Sequence, residues 1–497
     1  MKQLFIGFAL LLSAMSFAQT TITGTVTTTA SGETVPFVNV ILNNSTTATT
    51  TDDNGRYSID INSELDVLKF SALGFISQSI TVGNKTIINV ALEESTTDLN
   101  EVVITALGFK RETKELGYAV QSLGSDDIQE VKAVNFLDNL SGKLAGVTIS
   151  QGATGVGSTS KITIRGEASF SNNNPLFVVD GTPINNNTVF NFTNEAAAGF
   201  QEVDFGNGAM EVNPDDIASV SVLKGPSAAA LYGTRASNGV IVIETKNGAN
   251  KKGLGVSYNT SLFIDTAFRL PDFQNEYGQG NSGEFEYVDG LGGGINDNIT
   301  YSWGPRLDQG LLIPQFDSPV VLANGTIVRG GDTSVYDGQL ITPTAFNSNP
   351  DNLKDFYETG VTTINNLSIA TGFNTGDFRL SLTDLRSDGI IPGVNLDRQT
   401  ISTKLNFTPT QKTKITSNIS YVNSQSDNRP SNGYGSENVN YSLVAWGPRS
   451  LNIDSLRDYW QPGLEGVQQY SFNYTFFDNP YFILFENRNS FNRDRVF

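Results

Sequence analysis

From Leu254 onward the chain repeats a pattern with a period of two residues. Leu254, Val256, Tyr258, Thr260, Leu262 and Ile264 fall on one face; Gly255, Ser257, Asn259 and Ser261 fall on the other. Phe378, Leu380 and Leu382 oppose Arg379, Ser381 and Thr383. Ile401, Leu405 and Phe407 oppose Ser402, Lys404 and Asn406. Ile415, Ile419 and Tyr421 oppose Thr416, Asn418 and Ser420. Such alternation is what a strand produces, because successive side chains point to opposite faces. Long strands joined by alternately short and long polar connections suit an antiparallel transmembrane β-barrel, apolar toward lipid and polar toward the lumen. A soluble antiparallel sheet alternates in the same way. Two further features favour the barrel: the amino terminus, and the aromatic residues Tyr301, Trp303, Tyr421 and Trp446, read as strand ends.

The amino terminus sets the compartment. Met1-Lys2-Gln3 is positively charged, Leu4 to Leu12 is apolar, and Ser16-Phe17-Ala18 fits a small-x-small cleavage site. This reads as a secretory signal peptide over residues 1–18. Its apolar core is shorter than the roughly 20 residues of a spanning helix, and no later stretch is long and apolar enough to be one.

Composition removes several chemistries. The net charge is −19, and an acidic surface repels phosphate backbones, so nucleic acid is excluded as a partner. The chain has no His and no Cys. Imidazole acid–base work, His-based triads, thiolate nucleophiles and His or Cys metal sites are therefore absent. No catalytic residue, cofactor or metal is expected.

Two folded regions precede the alternating strands. Over residues 20–95, short strands are expected at Thr21–Val26, Phe37–Leu42, Arg56–Ile61, Asp66–Ala72, Ser77–Val82 and Thr86–Leu92, a small sandwich. Asp52-Asp53-Asn54-Gly55 is a tight turn; it lacks the spaced oxygen ligands and distal Glu of a calcium loop. Residues 110–250 mix helix and strand. Asn135 can cap a helix carrying Leu137, Leu140 and Leu144 on one face and ending at Gly146. Strands are expected at Val147–Gln151, Lys161–Arg165, Leu176–Val179, Ala218–Lys224 and Val240–Ile243, with a hairpin turn at Asp180-Gly181. Pro226 suits the first turn of a short helix reaching Tyr232. The sum is a compact α+β domain, with Val178, Val179, Val220, Val222, Ile241 and Ile243 as its sheet core.

Between the sandwich and this domain lies Asp98 to Ala106, a β-prone run in the open. An exposed strand between domains is a handle, since an extended peptide can add its backbone hydrogen bonds to another protein's sheet edge.

With those residues in view, a family resemblance emerges. Leu99 to Lys110 resembles the energy-coupling box of TonB-dependent outer-membrane receptors, and more narrowly of SusC/RagA-like importers. Phe177 to Ile184, Ile217 to Pro226, Ala228 to Gly233 and Ala236 to Ile241 resemble that family's plug. Residues 20–95 resemble the carboxypeptidase-regulatory-like sandwich that precedes the box. Later segments, Ser302 to Arg306 and Asn352 to Tyr357, also fit. The fold class that follows is mostly β with an α+β plug: sandwich (20–95), TonB box (98–106), plug domain (110–250), then the first strands of a large antiparallel transmembrane barrel (253–497). The family barrel has about 22 strands. Only about five or six are legible here, and an open edge cannot sit in lipid. Phe497 therefore reads as a truncation point, with Arg493 and Arg495 on its own face.

The resemblance implies TonB-dependent import across the outer membrane, with the sandwich in the periplasm. Glu101, Val102, Val103, Ile104 and Thr105 would bind TonB, which works with ExbB and ExbD. Arg165, Gly166, Asp180, Gly181, Lys224, Gly225, Pro226, Tyr232, Gly233 and Gly239 would be structural plug residues. Further partners would be a SusD-like lipoprotein over the barrel, outer-membrane lipids, and a large cargo, most often an oligosaccharide. A siderophore or peptide importer has the same architecture. A surface adhesin is the rival of another class, but it has no use for a stopper ahead of a barrel. An enzyme rests only on Ser158-x-x-Lys161, Ser221-x-x-Lys224 and Ser426-Asp427-Asn428; both Ser-x-x-Lys matches fall at strands rather than opening a helix, and no Lys-Thr-Gly follows.

Overall fold

A computed structural model describes residues 20–248 and 253–497, with breaks at 30, 43–46, 62, 73, 94–101, 105–109, 113–119, 130–131, 153–154, 168–172, 187–202, 226–231 and 337. The signal peptide assigned to 1–18 lies outside the described residues. The chain divides into two compact units: residues 1–102 with 112–114, and residues 103–111 with 115–497.

The first unit is a two-sheet sandwich. Its strands are β1 (Thr20–Thr28), β2 (Asn39–Leu42), β3 (Ala48–Thr50), β4 (Arg56–Ile61), β5 (Val67–Ser71), β6 (Gln78–Thr81) and β7 (Val90–Leu92). One sheet runs β4-β1-β7 and the other β3-β2-β5-β6. Alternation decides which side chains go in: Tyr57, Ile59 and Ile61 of β4 are buried while Arg56, Ser58 and Asp60 are exposed. They meet Ile22, Val26, Val40, Leu68, Phe70 and Val90 in one apolar core. The Tyr57 ring stands edge-on to Phe70 at 5.3 Å, and its buried hydroxyl donates to the Ile88 carbonyl at 2.8 Å. Burial pushes that phenol up to about 12. The tight turn after β3 forms as expected: Asp52 Oδ1 accepts from the amides of Asn54 (2.9 Å) and Arg56 (2.8 Å). Strand β3 itself, Ala48-Thr49-Thr50, carries no alternating apolar signal.

Within residues 98–106, expected to be a coupling box, Val102–Ile104 is a strand, β8, which shares a two-stranded ladder with β9 (Lys110–Glu112). Glu101 and Thr105 lie outside the described residues.

The second unit holds the plug and the wall strands. The plug sheet runs β10 (Val120–Gly124), β15 (Ile217–Leu223), β16 (Val240–Thr245), β13 (Leu176–Val179), β14 (Thr182–Ile184), with β13 and β16 parallel; β11 (Val147–Ser150) and β12 (Lys161–Ile164) form a separate hairpin. Five of the six expected core residues are fully buried; Val179 is half-buried. The sheet is covered on both faces. Phe177, Val220, Val222, Ile241 and Ile243 face one apolar cluster, and Val178, Leu223, Val240 and Val242 face another.

One element departs from expectation. The helix capped by Asn135 is instead a run of tight turns around a short 3₁₀ segment, Asp138–Leu140. The Asn135 side chain accepts from the Leu137 amide, which closes a local turn, and the backbone bonds run i to i+3. Gly142, at φ 76°, then takes the chain out of the helical region. Leu137, Leu140 and Leu144 are buried all the same. The short helix expected after Pro226 lies outside the described residues except for Tyr232.

Six antiparallel strands form the wall in chain order: β17 (Gly255–Asp265), then β22 (Gly360–Phe373), β23 (Gly376–Asp388), β24 (Asn395–Thr410), β25 (Thr413–Ser426) and β26 (Phe491–Val496). The barrel does not close. Two-residue turns join β22 to β23 and β24 to β25; long segments follow β17 and β25. The outward face is the expected apolar one, with Val256, Tyr258, Leu262, Ile264, Ile401 and Ile419 exposed. The aromatic reading needs correction. Tyr421 lies on β25, but Tyr301, Trp303 and Trp446 sit in the long connections rather than at strand ends. Those connections, residues 266–359 and 427–490, contain the small strands β18 (Leu312–Ile313), β19 (Pro319–Val321), β20 (Ile327–Arg329) and β21 (Thr344–Ala345). They fold together around a shared core that includes Tyr287, Phe316, Phe346, Phe356, Tyr470 and Tyr481.

The sandwich supplies a packing test. A Cβ on Gly24 in β1 would lie 1.9 Å from the Ile88 carbonyl oxygen and 2.9 Å from Tyr57 Cε1. Gly24→Ala should destabilise this unit by about 2–3 kcal/mol, as overpacking against backbone does. Thermal unfolding of residues 20–95 followed by circular dichroism reads this; an unchanged midpoint would refute it.

Candidate functional site

The expected plug residues serve two purposes. Asp180 (φ 46°) and Gly181 (φ 86°) are both left-handed, as a two-residue hairpin between β13 and β14 requires. Arg165 and Gly166 make a second left-handed pair after β12, and Gly233 is left-handed too. Gly239 (φ 96°) lets β16 pass close to Ile164 and the Leu223 carbonyl, where a Cβ would sit 2.8 and 2.9 Å away. Gly225 (φ 95°) passes beside the Arg165 guanidinium. Lys224 Nζ donates to Gln121 Oε1 at 2.9 Å and to the Ala145 carbonyl at 2.6 Å, tying β15 to β10 and to the turn before β11. Burial, and then the charge of Arg165, hold its ammonium below the usual lysine range. Pro226 lies outside the described residues.

Asp180 also reaches the wall. Besides the Thr245 amide (3.1 Å) and hydroxyl (2.6 Å), its carboxylate accepts from Lys404 Nζ on β24 at 2.9 Å and from Asn418 Nδ2 on β25. It is one of a row of such contacts. Asp216 Oδ1 pairs with Arg379 on β23 at 2.7 Å, and both side chains are nearly inaccessible. The Gly248 amide donates to Asp377 at 2.9 Å, and Asn213 Nδ2 to Thr383 at 2.8 Å. Arg398 of β24 donates to the carbonyls of Met210 and Val134, and buried Glu211 faces Arg493 (2.7 Å) and Arg495 (2.9 Å) on β26. Lys132 pairs with Asp215 at 2.7 Å within the plug.

Local sequence explains the carboxylate positions. Asn213 caps a 3₁₀ turn at Pro214–Asp216, accepting from the Asp215 amide, so the Asn-Pro-Asp-Asp run presents both Asp side chains at the entry to β15. Lys246 sits beside them; burial and then the Arg379 charge lower its ammonium, although Asp215 and Asp216 oppose the shift. A cavity of about 50 Å³ lies in this seam, bounded by Glu211, Asp216, Lys246, Arg379 and Lys404. One apolar patch interrupts the row, where Ile364, Leu385 and Leu396 of the wall meet Val134 and Val156 of the plug.

Alternation placed Arg379 and Lys404 on the polar face, and the structure turns both inward. Lys404 meets Asp180, which the sequence had singled out; Asp216, the partner of Arg379, and Glu211, the partner of Arg493 and Arg495, were missed. The signal available was the pairing demand itself: buried cations on one surface require carboxylates on the surface they meet. In the Ser-x-x-Lys matches, one lysine and one serine have other partners. Lys161 pairs with Glu167, and Ser221 is hydrogen-bonded to Ser122 at 3.1 Å.

Residues 112–240 match the TonB-dependent receptor plug domain, and residues 22–104 match the CarboxypepD_reg-like domain. The TonB-dependent receptor SusC of Bacteroides thetaiotaomicron is 31% identical over 397 residues, 79% of this chain and 33% of SusC. The chain is a SusC/RagA-like TonB-dependent receptor sequence. This receptor chain spans about a third of the length of SusC. TonB-dependent receptor P26 of Formosa agariphila is 37% identical over 229 residues, 46% of this receptor and 21% of P26. Among solved structures, the RagAB peptide importer in its open-open state is similar over 67% of this receptor and 33% of that chain, at 21% identity with a TM-score of 0.44. Members of this family are outer-membrane proteins.

The seam yields a double-mutant test. Arg379→Met leaves Asp216 buried without its cation and should cost about 3–5 kcal/mol of plug–wall association. Arg379→Met with Asp216→Asn should recover most of that loss, since no charge is then left unpaired. Hydrogen exchange over residues 203–216 and β15 reads both; equal exchange in the single and double variants would refute the coupling.

Proposed function

We propose that this receptor performs TonB-driven import of oligosaccharides across the outer membrane, without catalysing a reaction. The observation that carries the reading is the chemistry of the seam. The plug holds to the wall mainly through hydrogen bonds and ion pairs, which water or a polyhydroxylated cargo can replace. Its own sheet is held by apolar burial, which water cannot replace. A plug built this way can leave the wall and stay folded. A wide lumen then suits large polar cargo.

In this reading residues 98–106 are the TonB box, and Glu101 to Thr105 bind TonB. Strand β8 supports it: Val102–Ile104 is already extended, and its second edge has no strand partner among the described residues. The sandwich hangs in the periplasm, residues 110–250 fill the lumen, and a SusD-like lipoprotein covers the long connections. ExbB and ExbD supply the energised TonB.

Two experiments test the reading. Val103→Pro in the full-length receptor removes a backbone donor from the added strand. Energised uptake should be abolished while cargo binding at the cell surface stays intact; normal uptake refutes the TonB assignment. Deleting the gene should stop growth on one glycan and leave growth under iron limitation unchanged. A strain that fails only under iron limitation identifies a siderophore receptor instead, and one that fails only on peptides identifies a peptide importer.

A further inference from the structure

The two long connections leave an aromatic cleft between them that neither the plug nor the wall strands use. It measures about 380 Å³, within the roughly 300–1,000 Å³ usual for small-molecule sites. Its walls are Tyr301 from the first connection and Tyr434, Tyr441, Trp446, Phe476 and Phe477 from the second. Large aromatics normally go inside, but here Tyr434 is 73% exposed, Phe476 57% and Tyr301 48%. Clustered exposed apolar surface of this kind marks a binding site.

The rings are held in fixed relative orientations. Tyr434 stands edge-on to Tyr441 at 5.8 Å, Tyr441 edge-on to Trp446 at 6.3 Å, and Trp446 lies tilted over Phe477 at 6.2 Å. Trp446 closes a π-helical turn, Ser442–Trp446, a rare geometry frequent at functional sites. The two connections are stitched together next to the cleft. Asn473 Nδ2 donates to the Asn298 carbonyl, and the Tyr474 amide to the Gly290 carbonyl, both at 3.2 Å.

The polar groups narrow the ligand. Among the described residues, the hydroxyls of Tyr301, Tyr434 and Tyr441 and the indole N–H of Trp446 have no protein hydrogen-bond partner. Asn298, Thr300 and Ser436 add further neutral donors and acceptors, and none of the lining residues is charged. Peptide termini, phosphates and anionic chelates would find no counter-charge there. A pyranose fits both features: its C–H face packs on an aromatic ring, and its hydroxyls take the neutral donors and acceptors around the rim.

We infer that this cleft is a recognition point for a neutral oligosaccharide, with Tyr434 and Tyr301 as stacking platforms. The inference rests on the cargo class proposed above and gives it an address on this chain. Tryptophan fluorescence of the purified full-length receptor, titrated with maltoheptaose, cellohexaose, xylohexaose and mannohexaose, tests it. At least one of these should bind, with an affinity unchanged by added salt, since an uncharged ligand has no ion pair to screen. Tyr434→Ala with Tyr301→Ala should weaken that binding on the order of tenfold, while Tyr434→Phe, which keeps the ring, stays near wild type. Both tyrosines are exposed, so the variants fold. A glycan that binds wild type and the double alanine variant equally overturns the site and leaves the cargo class standing. Absence of binding by all four probes overturns both.

Discussion

The contact on which this architecture depends is the charge-assisted row between plug carboxylates and wall cations. Asp216 with Arg379 is nearly inaccessible, Glu211 is buried against the part-exposed Arg493 and Arg495, and Asp180 with Lys404 is mostly buried. A buried charge is tolerable only when paired, so each member of the row requires the others. The wall strands could not turn Arg379, Arg398 and Lys404 inward unless the plug met them, and the plug could not leave Asp215 and Asp216 at its surface without cations nearby. Plug and wall are therefore written into each other's sequences.

Much of this was legible. Period two fixed the faces of β23, β24 and β25, and the structure keeps every assignment made for them. Asp180-Gly181 announced its hairpin, and Val220, Val222, Ile241 and Ile243 announced a buried sheet. What failed did so for local or long-range reasons. Asn135 looked like a helix cap, but the same side-chain acceptor closes a turn with Leu137, and Gly142 ends any continuation. Leucines at helical spacing were buried either way, so the periodicity was true and the element was not. Strand β10 escaped notice because Val120-Gln121-Ser122-Leu123 has too little apolar content; it exists because β15 offers it an edge.

The least legible part is the ordered core of the long connections. Polar, Gly-rich stretches such as Asp289 to Gly294 read as loop. Yet Asp297 draws that stretch into a nest, accepting from the amides of Val288, Asp289 and Gly290 at 2.9–3.2 Å. Burial and the neighbouring Asp289 carboxylate raise the Asp297 carboxyl above the usual range; Asp289, against its own burial, is held below it by its hydrogen bond with Asp297 and then by the amides of Leu291 and Gly293. Apolar residues far apart in the chain then share one core: Phe316 packs on Tyr470 at 5.8 Å, and Phe356 on Tyr481 at 5.7 Å. Contacts separated by more than a hundred residues leave no periodic trace in either segment. Of the aromatic residues first read as a membrane girdle, Tyr301, Trp303 and Trp446 lie in these connections, and Tyr421 lies on a wall strand.

Topology also orders how the plug can respond to a load from its amino-terminal side. The chain enters the plug at β10, which is the edge of the sheet and pairs with no strand but β15 among the described residues. The charged contacts to the wall come from the turn after β13, the Glu211 segment and the turn before β15, while the Val134 carbonyl, soon after β10, accepts from Arg398. Strand β10 is held to β15 by five residue pairs. Gln121 reinforces this first ladder: its side chain joins Lys224, the Ala145 amide and the Lys143 carbonyl at 2.9–3.0 Å. Those bonds sit near the sheet edge, where water can replace them, whereas β16 has strands on both sides and apolar clusters on both faces. The sheet is weakest where the chain enters and strongest where it meets the wall, so the order of events under load is set by strand order rather than by any single bond.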